Sequence, residues 1–121
     1  MAMGVPIPVL RMFDEAKARE FYCGFLGFTV DWEHRFEDAT PLYMQISSGA
    51  CVLHLSEHFG DASPGSSMRI PMEDLDGFVE GLNAKAYKYA RPGIQAQPWG
   101  RDCTIKDPFG NKLIFFAAPA P

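Results

Sequence analysis

The period of the apolar positions changes several times along this chain, and each change marks an element. Residues 5–11 read as a short strand. Pro6 and Pro8 cannot donate to a ladder, so this strand is expected at a sheet edge or running between subunits. From Ala18 the period becomes helical. Ala18, Phe21, Tyr22, Phe25 and Leu26 fall at i, i+3, i+4, i+7 and i+8, which is one apolar face. Asp14 is the expected N-cap and Gly27 the stop. Three strand-type segments follow at 28–36, 42–46 and 51–55, with Ser48-Gly49 as the hairpin between the last two. Residues 58–66 are a loop by composition.

The order then repeats. Residues 67–72 read as a strand, Asp74 as a second N-cap, and Leu75, Phe78, Val79, Leu82 and Ala86 as a second helix face. Gly77 and Gly81 weaken that helix by about 1 kcal/mol each relative to alanine. Close packing of the helix on a sheet and chance both account for them. Segments near 88–94, 101–106 and 112–116 complete the half. Asp14 and Asp74 stand sixty positions apart, and only the pattern repeats, not the residue identities. Two copies at so long a period point to a duplicated module rather than a solenoid, which needs three or more repeats. The expected fold class is α+β, one domain over 1–121 with two βαβββ modules, 5–57 and 67–117, joined by the linker 58–66.

The most pointed local signal lies in residues 98–116. Asp107-Pro108-Phe109-Gly110-Asn111 is turn chemistry: proline presets φ, and glycine and asparagine tolerate positive φ. Pro98-Trp99-Gly100 sets a large flat ring just before this hairpin, which points to a ligand surface.

Composition narrows the partners. A chain of 121 residues that is 47% apolar can bury one real core. Its net charge of −4 and lack of a basic run leave no phosphate-binding surface, so nucleic acid is not expected. No apolar run approaches the ~20 residues of a membrane span. Met1-Ala2-Met3-Gly4 lacks the charged and apolar regions of a signal peptide. Cys23, Cys51 and Cys103 form no C-x-x-C pair, which suits reduced thiols in a cytoplasmic protein.

Phe21-Tyr22, then Leu26-Gly27-Phe28 closing the first helix, then Asp107 to Leu113 as the final hairpin, resemble the vicinal oxygen chelate superfamily. This is the glyoxalase, bleomycin-resistance and extradiol dioxygenase group. Pro98-Trp99-Gly100 is similar to the bleomycin-resistance branch. The resemblance covers nearly the whole chain. It implies a curled, partly closed mixed-sheet barrel with the helices outside, and a homodimer whose pocket lies at the interface. Some members exchange their first strand.

The resemblance also frames the question of a metal. The positions from which metal-dependent members take ligands align with Ile7, His54, Arg69 and Ile114. Two are aliphatic, and a guanidinium has no lone pair to give. Only His54 can ligate, whereas three or four protein ligands are needed, so no metal or cofactor is expected. His54 and His58 do not make a substitute as a helical i, i+4 pair would, because four residues along a strand span about 13 Å, and a displaced site would need Glu57 or Asp61 to assist from the loop.

The candidate ligand contacts are Trp99, His54, Trp32, Phe36, Phe59, Tyr43, Glu57, Arg69, Arg101 and Asp102. Trp99 is either a stacking platform or a ring packed on the fold. His54 is either a titrating cavity group or an interior histidine bonded to Tyr43 or a backbone carbonyl. Arg69 either binds an anionic group or pairs internally with Glu57 or Asp102. Trp32 and Phe36 share strand parity, and Phe59 opens the linker loop, where it could close over a ligand. Glu57, Asp61 and Asp102 offer acidity, with Asp61 read as solvated surface charge. No nucleophile elbow, P-loop or dinucleotide motif is present, and no catalytic residue is assigned. The expected function is sequestration of an antibiotic-like, bleomycin-type small molecule, planar or cationic, without chemistry. The alternative is a glyoxalase-like lyase, isomerase or dioxygenase with a displaced metal around His54, Glu57 and His58.

Overall fold

The computed structural model describes residues 2–118. Within that span the chain forms two compact units, the first ending at Pro64 and the second starting at Gly65. Each contains a four-stranded mixed sheet and helical structure, so the fold is α+β. The first sheet has the order β1 (Val9–Arg11), β4 (Cys51–Ser56), β3 (Tyr43–Ser48), β2 (Thr29–His34). In the second the order is β5 (Ser67–Pro71), β8 (Lys112–Ala117), β7 (Gly100–Lys106), β6 (Gln95–Gln97). In both, the first strand pairs parallel with the last, and the remaining ladders are antiparallel. Each sheet is open, with two free edge strands.

The first helix begins where the sequence places it. Asp14 accepts from Lys17 N–H at 3.0 Å and caps α1 (Glu15–Ala18). The apolar face is also where expected, since Ala18, Phe21, Tyr22, Phe25 and Leu26 are all buried. The pitch is not. Residues Arg19–Phe25 wind as a wider π-helix, and Leu26 N–H reaches back five residues to the Phe21 carbonyl at 2.9 Å. The wider turn spaces the rings of Phe21 and Phe25, whose centroids lie 5.8 Å apart. Gly27 then takes φ +85°, the left-handed stop that glycine allows.

Several strand boundaries differ from the pattern-based ones. The first strand is only Val9–Arg11, because Pro6 and Pro8 remove the donors that a ladder over 5–11 needs. The second ends at His34, short of residue 36, so Phe36 lies beyond the ladder and strand parity no longer governs it. Residues 88–94 contain Pro92 and Gly93 and form no strand, and β6 starts at Gln95 instead. Ala86, expected on the second helix face, lies past the end of α2 (Leu75–Ala84) with φ 51° and is exposed.

The second unit is anchored by its final turn. The buried Asp107 carboxylate accepts from the backbone N–H groups of Phe109 and Asn111, each at 2.8 Å. It also accepts from the Asn111 side-chain amide at 2.8 Å. Asn111 in turn accepts from Ser66 N–H at 3.2 Å, tying the turn to the start of β5. Gly110 has φ +89°, which a side chain would strain.

The helix glycines have different roles. Asp74 caps α2 by accepting from Gly77 N–H at 2.9 Å. A Cβ on Gly77 would stand 2.2 Å from that same carboxylate, whereas one on Gly81 meets open space. Gly77 therefore makes room for its own cap. Gly81→Ala is expected to stabilise the protein by about 0.5–1 kcal/mol through helix propensity. Gly77→Ala displaces the cap, at a cost of about 1 kcal/mol that cancels or exceeds that gain. Urea unfolding of both variants checks the contrast, and equal stabilisation would refute it.

Candidate functional site

Alternation makes the first sheet two-faced. Leu10, Met44, Ile46, Leu53 and Leu55 are buried on one side. The opposite parity carries polar and aromatic side chains. Val9 pairs with His54, His54 with Gln45, and Gln45 with Trp32, so these four form one row across all four strands. Tyr43 and Ser56 form a neighbouring row, with His34 opposite Tyr43.

Three rings pack together on this face. The Trp32 and Tyr43 rings lie nearly parallel, 13° apart with centroids at 6.0 Å. Each meets His54 edge-on at 5.2 Å. Trp32 remains 44% exposed, so nearly half its surface is open to a ligand. A directed chain of hydrogen bonds runs through two of these rings. Tyr43 O–H lies 2.7 Å from His54 Nδ1, and His54 Nε2 lies 2.9 Å from Gln45 Oε1. Gln45 Nε2–H donates to Asp31 Oδ2 at 3.1 Å, and Ser47 O–H donates to Asp31 Oδ1 at 3.0 Å. Because Gln45 gives its N–H to Asp31, its oxygen must accept from His54. His54 is therefore the neutral Nε2–H tautomer, with Nδ1 accepting from Tyr43.

The electrostatics agree with that assignment. Burial lowers the His54 pKa below the usual imidazole range. Burial raises the Tyr43 pKa, with a further push from the Asp61 charge. Asp61 is not simply solvated: it accepts from Ser56 O–H at 2.7 Å.

The other expected contacts are dispersed. Phe36 is 77% exposed and lies edge-on to His34 and His58, with centroids at 4.8 and 6.4 Å. Phe59 is 97% exposed in the linker loop. Glu57 accepts from Leu42 N–H at 3.0 Å and lies 4.0 Å from an Arg35 nitrogen, so its carboxylate serves the fold. In the second unit Trp99 is 64% exposed on the turn between β6 and β7. Arg101 belongs to the helix side, where it grips Asp76 of α2 through two bonds of 2.9 and 3.0 Å. That bidentate pair holds the Asp76 carboxyl below its usual range. Asp102 is buried opposite Phe116. Arg69 is exposed rather than buried, and lies over the Phe116 ring at 4.4 Å instead of pairing with Glu57 or Asp102. Exposure removes the need for a carboxylate partner.

Register also corrects one aligned position. The residue opposite His54 is Val9, not Ile7, which lies ahead of β1. In the second unit the matching pair is Arg69 opposite Ile114, sixty positions on from Val9 and His54. These residues do not fit a metal. Valine and isoleucine offer no donor, Arg69 no lone pair, and both His54 nitrogens are engaged by Tyr43 and Gln45. Glu57 and His58 are not gathered around it either: among the described residues no group of three or more His, Cys, Asp or Glu could hold an ion.

Gln45, Asp31 and Ser47 are site residues that the sequence did not announce. Parity with Tyr43 points to Gln45 and Ser47. Asp31 has no such signal, because it sits at a bulge.

The family model described as glyoxalase superfamily protein matches residues 2–119. The chain belongs to the glyoxalase superfamily. No curated protein matches it. Among solved structures, a bleomycin-binding protein from Streptomyces verticillus, complexed with copper(II)-bleomycin, is similar at TM-score 0.69 and 25% identity, covering 98% of this chain and 99% of that one. A bleomycin resistance determinant encoded on the transposon Tn5 gives 0.73 and 23%, with 98% and 100% covered. TnmS3, an antibiotic binding protein from Streptomyces sp. CB03234, gives 0.72 and 20%, with 98% of each covered. At these identities the last two show the shared superfamily fold.

His54 makes stability depend on pH with a definite sign. Its folded pKa lies below the ordinary value of about 6.5, so the unfolded chain takes the proton first. The stabilisation is present above about pH 6.5 and is lost as the pH falls below it. His54→Gln should therefore flatten the decline in melting temperature between about pH 7 and 5 relative to wild type. Parallel melting curves for the two proteins across that window would contradict the assignment.

Proposed function

We propose that this protein binds and sequesters a small antibiotic-like molecule of the bleomycin type, by stacking and hydrogen bonding and without chemistry. The observation that carries the reading is the face built from Trp32, Tyr43 and His54. It combines a half-open indole, two supporting rings and fixed polar groups. Flat aromatic surface with a few placed polar atoms is what a planar ligand needs. The likeness to bleomycin-binding proteins points the same way, since one of them is described in complex with the copper(II) drug. The donors at the metal-binding positions do not fit an ion, which agrees with a role that asks for binding alone.

The reading extends to the finer features of the superfamily: a partly closed barrel, a homodimer with the ligand at the subunit interface, and a cytoplasmic setting. Met3, Val5 and Ile7 are exposed apolar side chains ahead of β1, and a second copy would cover them. The three free cysteines suit a reducing compartment. Trp99, Phe36 and Phe59, all strongly exposed, are further rings of the same reading. Arg69 and Asp102 are polar residues of the same reading, while Glu57 and Arg101 act through the fold.

Calorimetric titration with metal-free and copper(II) bleomycin tests the proposal. Saturable heat and a rise in melting temperature are expected, both strongly reduced in Trp32→Ala. The absence of heat and stabilisation at drug concentrations of several hundred micromolar would eliminate the drug-binding form of the reading.

A further inference from the structure

The second strand of the first sheet is irregular at one residue. Val30 pairs with Ile46 and Trp32 with Gln45, so Asp31 is an extra residue with no partner of its own. In a regular strand Asp31 and Trp32 would project to opposite faces. The bulge removes that alternation. Trp32 packs against Tyr43 and His54, while Asp31 bonds Gln45 and Ser47, which belong to the same face. Two consecutive residues thus deliver a carboxylate and an indole to one surface. Bulges recur next to functional sites because they re-aim side chains in this way.

The surroundings hold Asp31 in place and leave it room to bind. Each of its oxygens accepts one hydrogen bond, from Gln45 and from Ser47. A carboxylate has about four acceptor positions, so roughly two remain, and Asp31 is exposed. The chain from Tyr43 through His54 and Gln45 points its donors toward this carboxylate and fixes its orientation. The next residue, Trp32, is 44% exposed. A fixed anion next to an indole face is the combination that recognises an organic cation.

We infer that Asp31 and Trp32 form a recognition site for a flat cationic group, an amidinium, guanidinium or imidazolium, on the small molecule this protein binds. The inference deepens the binding reading and rests on it, but places the charge at Asp31 rather than at the turn carrying Trp99.

The test follows the two tryptophan indole N–H signals of the full-length protein by two-dimensional NMR, assigned with Trp99→Phe. Benzamidinium is the probe, and neutral benzamide, of the same shape, is the control. Benzamidinium should shift the Trp32 signal saturably and leave that of Trp99 in place. Benzamide should bind at least about tenfold more weakly. Asp31→Asn keeps the size of the side chain, and should weaken benzamidinium about tenfold or more while leaving benzamide unchanged. Equal binding of the two probes to wild type needs no variant and overturns the inference. So does unchanged benzamidinium affinity in a folded Asp31→Asn, or a shift confined to Trp99. Bleomycin titrated into the same samples separates the two readings. If the drug binds and benzamidinium does not, the cation site fails and sequestration stands. If benzamidinium meets every criterion and the drug gives no heat, the cation site stands and the drug reading fails.

Discussion

Met44 opposite Leu55 and Ile46 opposite Leu53 hold the first sheet in a single register, because a slip by one residue would carry all four apolar chains to the other face. The polar face is the consequence. With those pairs buried, Tyr43, Gln45 and Ser47 have no choice of side, and neither does His54. Gln45 then bonds both His54 and Asp31, and its two ends settle the imidazole tautomer. Hydrophobic burial on one face thus determines hydrogen-bond polarity on the other.

The same logic separates what the chain announces from what it conceals. Caps and turns are local, and they were legible: Asp14, Asp74, Gly27 and Asp107 to Asn111 act as their residue types demand. The duplicated order and the superfamily resemblance followed from them, and the family match over residues 2–119 agrees. His54 bonded to Tyr43 was one of two readings left open, and register selects it. What could not be read depends on pairing. The bulge at Asp31 exists only against β3, the opposition of Val9 to His54 only against β4, and the Arg101–Asp76 pair only once α2 lies on its sheet. One of the two readings of Arg69, an internal pair with Glu57 or Asp102, does not hold, because the guanidinium is exposed and rests on Phe116.

The duplicated module lets the two units be compared position by position. Equivalent positions carry the same scaffold duties in both units, as the two aspartate caps and the two parallel first-to-last strand pairs demonstrate. The polar faces do not match. Where the first unit has Val9 beside His54, the second has Arg69 beside Ile114. Of these four residues only His54 carries a lone pair to give, and both of its nitrogens are already bonded. The two faces have diverged: a chain from imidazole to carboxylate beside an indole in one unit, and a guanidinium over a phenylalanine ring in the other. Groups fixed in advance by their own hydrogen bonds and stacking lose little freedom when a ligand arrives, and pre-organisation of that kind contributes to affinity. In the first unit the indole, the imidazole and the carboxylate are all held in this way, by contacts that the buried face of the same sheet puts in register.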